Sequence, residues 1–205
     1  DQLALVTGGI HLGLGRAQFQ LWGTIRNIVW IDEGGSGRTS DFGDGTMATK
    51  FQILTQSGRR PDVSFQMAVV LPNASNESGL GKDGTDFLGN VLIGHEAGRA
   101  YVFGKVGLGI LDDAERVGAQ QDVLTWGIAG IVPVIPEVSL AAEVVGVLNA
   151  AGNPTRGGED RAESRLGARW RMWGLDWDGA VTAGLTDVDH RVGAVFGATA
   201  RFDLW

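Results

Sequence analysis

The chain has 205 residues, 43% hydrophobic and 20% charged, with a formal net charge of −7 at pH 7. That length fits one domain, residues 1–205, and that apolar content excludes a disordered chain. The acidic balance, with lysine only at Lys50, Lys82 and Lys105, excludes a general nucleic-acid binder; the lack of cysteine excludes disulfides, thiolate metal sites and cysteine nucleophiles.

The opening DQLALVTGG has no basic segment followed by an apolar one, so no signal peptide is visible. A strand over Leu3–Leu14 leads into Gly15-Arg16, a natural two-residue hairpin turn. From Ala17 to Val29 the odd positions are mostly apolar, and the even ones include Gln18, Gln20, Thr24 and Arg26. Alternation of this kind is the strand signal. A polar connector over 32–43 precedes GDGTMATKFQIL, Gly43–Leu54, which carries Lys50.

Beyond a turn at 57–61, Val63, Phe65, Met67, Val69 and Leu71 share one face, with Ser64 and Gln66 on the other. A long connector over 73–85 follows, and a short turn at 96–99 precedes the next clear strand. In 100–110 the even face is apolar, while the odd face carries Tyr101, Phe103, Lys105, Gly107 and Gly109.

Trp126–Leu148 is the most apolar stretch, long enough to cross a bilayer as a helix. Pro133, Pro136 and Glu143 stand inside it, and an interior proline costs a helix about 3 kcal/mol. Read at period two, it becomes a hairpin. Leu124, Trp126, Ile128 and Val132 form one apolar row, 133–137 the turn, and Val138, Leu140 and Val144 the returning row. Glu143 then falls on the opposite face, expected opposite Gly127.

After the 149–163 connector, Leu166, Ala168, Trp170 and Met172 alternate with Arg165, Gly167, Arg169 and Arg171. The turn at 173–176 is expected to set Arg171 against Asp178 as a cross-strand ion pair. The last strand, beyond a short loop at 187–190, runs to Arg201 and the C-terminal aromatic Trp205.

The pattern predicts an all-β chain: an antiparallel up-and-down meander of about eleven visible strands, with short turns at one end and long polar loops at the other. Many strands approach the ~9–11 residues that span a membrane when tilted. Alternation alone does not decide which face is inside. A soluble β-fold turns its apolar face inward, and a membrane barrel turns it outward. Three features favour the membrane. The polar face is rich in small residues rather than Lys and Glu. Acidic residues such as Asp32, Glu33, Glu77, Asp83, Asp113, Glu115, Asp187 and Asp189 concentrate in the connectors. Tryptophans fall near strand ends at two levels, Trp30 and Trp126 at one and Trp170, Trp173, Trp177 and Trp205 at the other.

Parity then places Arg26, Lys50, Lys105, Glu143, Arg169, Arg171, Asp178 and Arg201 in the lumen, together with Asp176. A basic excess there predicts a mild anion preference if the interior conducts. His11, His95 and His190 lie far apart, and Asp187, Asp189 and His190 share a loop without a recognisable serine motif. No catalytic, metal-binding or cofactor-binding set is expected. The short GLGRAQ run lacks the lysine and the helix of a phosphate loop.

The runs GDGTMATKFQIL, RRPDVSFQMAVVLPNASNESG and TDFLGNVLIGHEAGRAYVFGKVGLGIL, with GLDWDGAVTAGLTD near the end, resemble one known family. It is the outer-membrane barrel family labelled "putative MetA-pathway of phenol degradation". The resemblance covers most of the chain from Gly43 onward. It rests on Gly43-Asp44 with Lys50, on Leu71-Pro72, and on Glu143 before Val144-Val145. It implies a Gram-negative outer-membrane barrel of about twelve strands, and it implies no substrate. Two departures stand out. The visible count is odd, which predicts a further N-terminal strand upstream of this chain or supplied otherwise. Trp205 is out of phase with Phe202 and Leu204, so the natural C-terminus is expected beyond it.

The expected function is a narrow passive channel for small solutes, set in outer-membrane lipid and lipopolysaccharide. The alternative is a closed structural or interaction barrel whose acidic surface loops bind a protein partner. A soluble barrel holding an apolar ligand is the third reading.

Overall fold

The computed structural model describes residues 2–31, 37–74, 84–113, 116, 119–151, 154–155 and 158–203. Every regular element among them is a strand: β1 (Gln2–Leu14), β2 (Ala17–Ile31), β3 (Gly37–Asp41), β4 (Gly45–Leu54), β5 (Asp62–Leu71), β6 (Asp86–Ala97), β7 (Ala100–Asp112), β8 (Gln120–Ile135), β9 (Val138–Asn149), β10 (Arg161–Met172), β11 (Leu175–Gly184) and β12 (Gly193–Ala200). They form one antiparallel sheet in the order β1-β2-β4-β5-β6-β7-β8-β9-β10-β11-β12, with β3 also paired to β2. The helical alternative for Trp126–Leu148 is excluded, because those residues form β8, a two-residue turn and β9.

β3 falls inside the expected 32–43 connector, so that connector is shorter than its composition suggests. Asn27↔Asp41 and Gly23↔Gly45 keep one register along β2, which makes β3 and β4 a single interrupted partner strand. The break is held by Gly43 N–H donating to the Thr24 carbonyl at 2.9 Å. A side chain at Gly43 would collide with that of Thr24, so glycine permits the close approach. Asp44 then accepts from the backbone N–H groups of Asn73 and Ala74, at 3.0 Å each. The Gly43-Asp44 pair thus has a structural task at the rim.

Five tight turns lie at one end. Gly15, Gly58, Gly98 and Gly174 take positive φ in four of them, the backbone region that such hairpins require. Trp173 joins Gly174 at φ 58°, the only described non-glycine residue there. The fifth turn is Pro136-Glu137, tighter than the expected 133–137. Pro133 remains in β8 opposite Ser139, beside a bulge before Ile135. As a result Glu143 pairs with Ala129, not Gly127.

The sheet has no conventional core. Among the described residues the only buried apolar side chains are Ala48, Ala68, Ala74 and Val123, and no large side chain is fully enclosed. Leu108 is 69% exposed, Leu166 63% and Val181 59%, all in strand interiors. The total accessible surface is 13631 Å², against about 9,200 Å² for a compact soluble monomer of this mass.

The sheet curls toward its polar face. Thr125 Oγ1 donates to Asn90 Oδ1 at 2.7 Å, reaching across β7. Tyr101 Oη donates to Asp62 Oδ2 at 2.7 Å across β6, and Gln66 Nε2 to Gln20 Oε1 at 2.7 Å across β4. Alternate strands of a flat sheet lie almost 10 Å apart, which an Asn–Thr pair standing off the sheet does not bridge. The apolar face is therefore convex and the polar face concave. No ladder joins β1 to β12 among the described residues, so the sheet is open along those two edges.

Candidate functional site

The concave face collects most of the charged strand residues. Lys50 stands on β4 between Gln18 and Gln66, and Lys105 on β7 between Leu92 and Gly127. Glu143 stands on β9 opposite Arg165, with Arg165 Nη1 at 3.5 Å from Glu143 Oε2. Arg165 also binds Glu163 on its own strand. Arg169 Nε meets Asp178 Oδ1 at 2.7 Å, and Arg171 Nε meets Asp176 Oδ1 at 2.9 Å. Arg201, just past β12, reaches Asp176 Oδ2 at 2.8 Å. The expected Arg171–Asp178 pair is corrected by one step of the ladder: the turn is the dipeptide Trp173-Gly174, so Leu175 is already paired with Met172.

Arg26 is not with the others. β2 carries an extra residue, Ile25, where the register with β1 shifts between Val6 and Thr7. The shift pairs Arg26 with Val6, on the side of β1 that carries Ile10 and Leu12. Its Nε donates to Ser40 Oγ at 2.9 Å. Unbroken parity along β2 predicted the opposite face. Such a bulge flips every later side chain, and the composition gives no sign of it.

The charges divide into two zones. On β9–β12 they form a ladder of ion pairs in which the named arginines have carboxylate partners. Around β4–β7 lies a cavity of about 630 Å³ at the short-turn end, whose lining includes Lys50, Lys105, Asp62, Tyr101, Phe103 and Glu143. Its carboxylates are engaged: Glu143 by Arg165, and Asp62 by Tyr101 Oη and by the backbone N–H of Gln56, each at 2.7 Å. Lys50 and Lys105 make no ion pair among the described residues. The basic excess therefore resides in these two lysines rather than in Arg169 and Arg201. A smaller cavity of about 130 Å³ lies beside the ladder, between Glu143, Arg165, Arg169 and Asp178.

The 185–192 loop folds back over the ladder. Asp189 Oδ2 accepts from Ala162 N–H at 2.9 Å and from Thr186 Oγ1 at 2.7 Å, while Leu185 N–H donates to the Ala162 carbonyl at 2.7 Å. Burial pushes the Asp189 carboxyl up, but the Thr186 hydroxyl, the Ala162 and Thr186 amides and the nearby Arg161 outweigh it, and the net shift is downward. His190 Nε2 lies 2.8 Å from Thr182 Oγ1 and 3.1 Å from Glu163 Oε2. Both partners address the same ring nitrogen, whereas a proton relay uses the two nitrogens separately. The cluster is a structural tie. Among the described residues no three His, Asp or Glu side chains gather as metal ligands would.

The Arg165–Glu163 contact and the Asp62–Tyr101 bond have no direct signature in the sequence. Parity had already put Arg165 beside Arg169, and that was the usable signal. Nothing local marks Asp62, whose partner stands two strands away. Asp32, Glu33, Glu77, Lys82, Asp83, Glu115 and Trp205 lie outside the described residues, as does the side chain of Trp30.

Neither a protein-family model nor a curated protein matches the sequence.

Proposed function

We propose that the chain is an outer-membrane β-barrel of a Gram-negative bacterium, of the kind the MetA-pathway resemblance implies, and that it acts as a narrow passive channel for small solutes. The carrying observation is the inside-out sheet: wide apolar side chains on the convex face, polar and small ones on the concave face, and no apolar core. Lipid is the medium that suits such a convex face, since burying apolar area stabilises by roughly 25 cal/mol per Å². In such a barrel each backbone donor and acceptor is satisfied between strands, so β1 must meet β12 or an intervening strand along the open edges. Short turns at one end and long polar loops at the other match the periplasmic and extracellular sides of such proteins. In this setting the partners are lipid and lipopolysaccharide, and the solute passes along the concave face beside Lys50 and Lys105.

The test is reconstitution. Purified protein is expected to require detergent, to show β-type circular dichroism there, and to run faster on gels before heating than after. In planar bilayers it is expected to conduct with a mild preference for anions. Strictly cation-selective current contradicts the placement of the lysines. Silence in a folded, membrane-inserted protein favours the closed interaction barrel, to which the β9–β12 ion-pair ladder also lends itself as an interior filling. In that case the acidic loops become the site of a protein partner.

A further inference from the structure

We infer that the cavity at the short-turn end binds a small organic anion: a carboxylate attached to an apolar body, held between Lys50 and Lys105. The inference deepens the channel reading by naming its solute class, and it rests on that reading only for how the solute reaches the cavity.

Charge placement carries it first. Lys50 faces Gln18 and Gln66 on its two neighbouring strands, and Lys105 faces Leu92 and Gly127. The diagonal neighbours of Lys105 are Asn90, Gly94, Thr125 and Ala129, so no carboxylate is within cross-strand reach of it. The same holds for Lys50, whose diagonal neighbours include Gln20, Ser64 and Ala68. The two acids that share the cavity, Asp62 and Glu143, are committed to Tyr101 and Arg165. Lys50, Lys105 and Arg16 give the cavity three cations, against the Asp62 carboxylate, whose partners are neutral, and Glu143, which is paired with Arg165; the net positive charge of this half-enclosed face favours an anion over a cation or a neutral polar solute.

Shape supplies the rest. Gly127 and Ala129, two small residues of β8, line the cavity with Lys105. The rings of Tyr101 and Phe103 pack with centroids 4.5 Å apart and form one wall. The Tyr101 hydroxyl is occupied by Asp62, so the residue presents its ring to the cavity. The volume of about 630 Å³ lies in the range of small-molecule sites. An anion with an apolar body satisfies both the lysines and the ring wall, whereas inorganic phosphate satisfies only the lysines.

Equilibrium dialysis of the folded protein in detergent tests this with benzoate as probe and with benzylamine and inorganic phosphate as comparisons. Benzoate is expected to bind saturably, benzylamine not to bind, and phosphate to bind more weakly than benzoate. Lys50→Gln and Lys105→Gln are each expected to weaken benzoate about tenfold, the loss of one charge-assisted contact. Equal binding of benzylamine, tighter binding of phosphate, or unchanged benzoate affinity in the folded double variant overturns the proposal. The probe comparison needs only the unaltered protein, so it decides the matter even where the variants do not fold. Bilayer current without benzoate binding ends the site but leaves the channel; benzoate binding without current does the reverse.

Discussion

At the scale of single residues, Gly107 is the position where the sheet's curvature is most exposed to substitution. Asn90 and Thr125 hydrogen-bond over it, and a methyl group there would run into the Gly89 carbonyl oxygen and come within 2.9 Å of Asn90 Cα. Gly107→Ala is expected to destabilise the folded protein by about 1–3 kcal/mol, the usual cost of overpacking. Urea titration of the detergent-folded protein measures it, and an unchanged midpoint counts against the bend. Glu143 is a milder case. Its partner Arg165 keeps Glu163 when Glu143 is neutralised, so Glu143→Gln is expected to change stability by less than about 1 kcal/mol. The same change removes one negative charge from the concave face, and reversal potentials are expected to move toward anions. Trp173 is 83% exposed and holds a positive φ. Trp173→Gly is expected to relieve about 1 kcal/mol of backbone strain in detergent. On the membrane-barrel proposal it is also expected to slow insertion into vesicles, since an exposed tryptophan at that turn would lie at the interface.

At the scale of elements, the alternation of β2, β5, β7, β8, β9 and β10 is plain in the sequence, and so are the five short turns, while β3 is hidden in a polar connector. The pairing register is not plain. The sequence places Pro133 in a turn, yet it stays in β8, and the two-residue turn behind it moves Glu143 from Gly127 to Ala129. Trp173-Gly174 likewise shifts each arginine of β10 by one pair, to Arg169–Asp178 and Arg171–Asp176. In both places the faces were legible and the turn lengths were not, because the face depends on parity while the register depends on where the tight turn closes. The bulge at Ile25 defeats parity itself, and Arg26 changes sides. The 185–192 loop carries its own prediction. The Asp189 carboxyl lies below its ordinary value of 3.8 in the folded protein. A depressed pKa contributes stability that is present above the unfolded value and is lost as pH falls through the folded one. Protection of the Ala162 and Leu185 amides against hydrogen exchange is therefore expected to hold above about pH 4 and to decline below it. Protection that stays constant to pH 2.5 contradicts the role given to Asp189.

At the scale of the whole molecule, the sheet turns its apolar side chains outward and keeps its charges on the hollow side. Composition hinted at this through the scarcity of lysine and the small residues of the polar face. Only the curvature, seen in the bonds that skip a strand, decides which face is hollow. The cysteine-free chain permits a direct test on β7. Single cysteines replace Val102, Val106, Leu108 and Ile110 on the convex face, and Phe103 and Lys105 on the concave one. Each carries a nitroxide label in protein reconstituted into lipid vesicles. Collision with oxygen, which concentrates in hydrocarbon, is compared with collision with a water-soluble nickel chelate. High oxygen and low nickel accessibility are expected at 106, 108 and 110, with the opposite at 103 and 105, in a strict period of two. Labels at 106 and 108 that neither reagent reaches, in a protein that stays soluble without detergent, would place the apolar face in a dry core and contradict it.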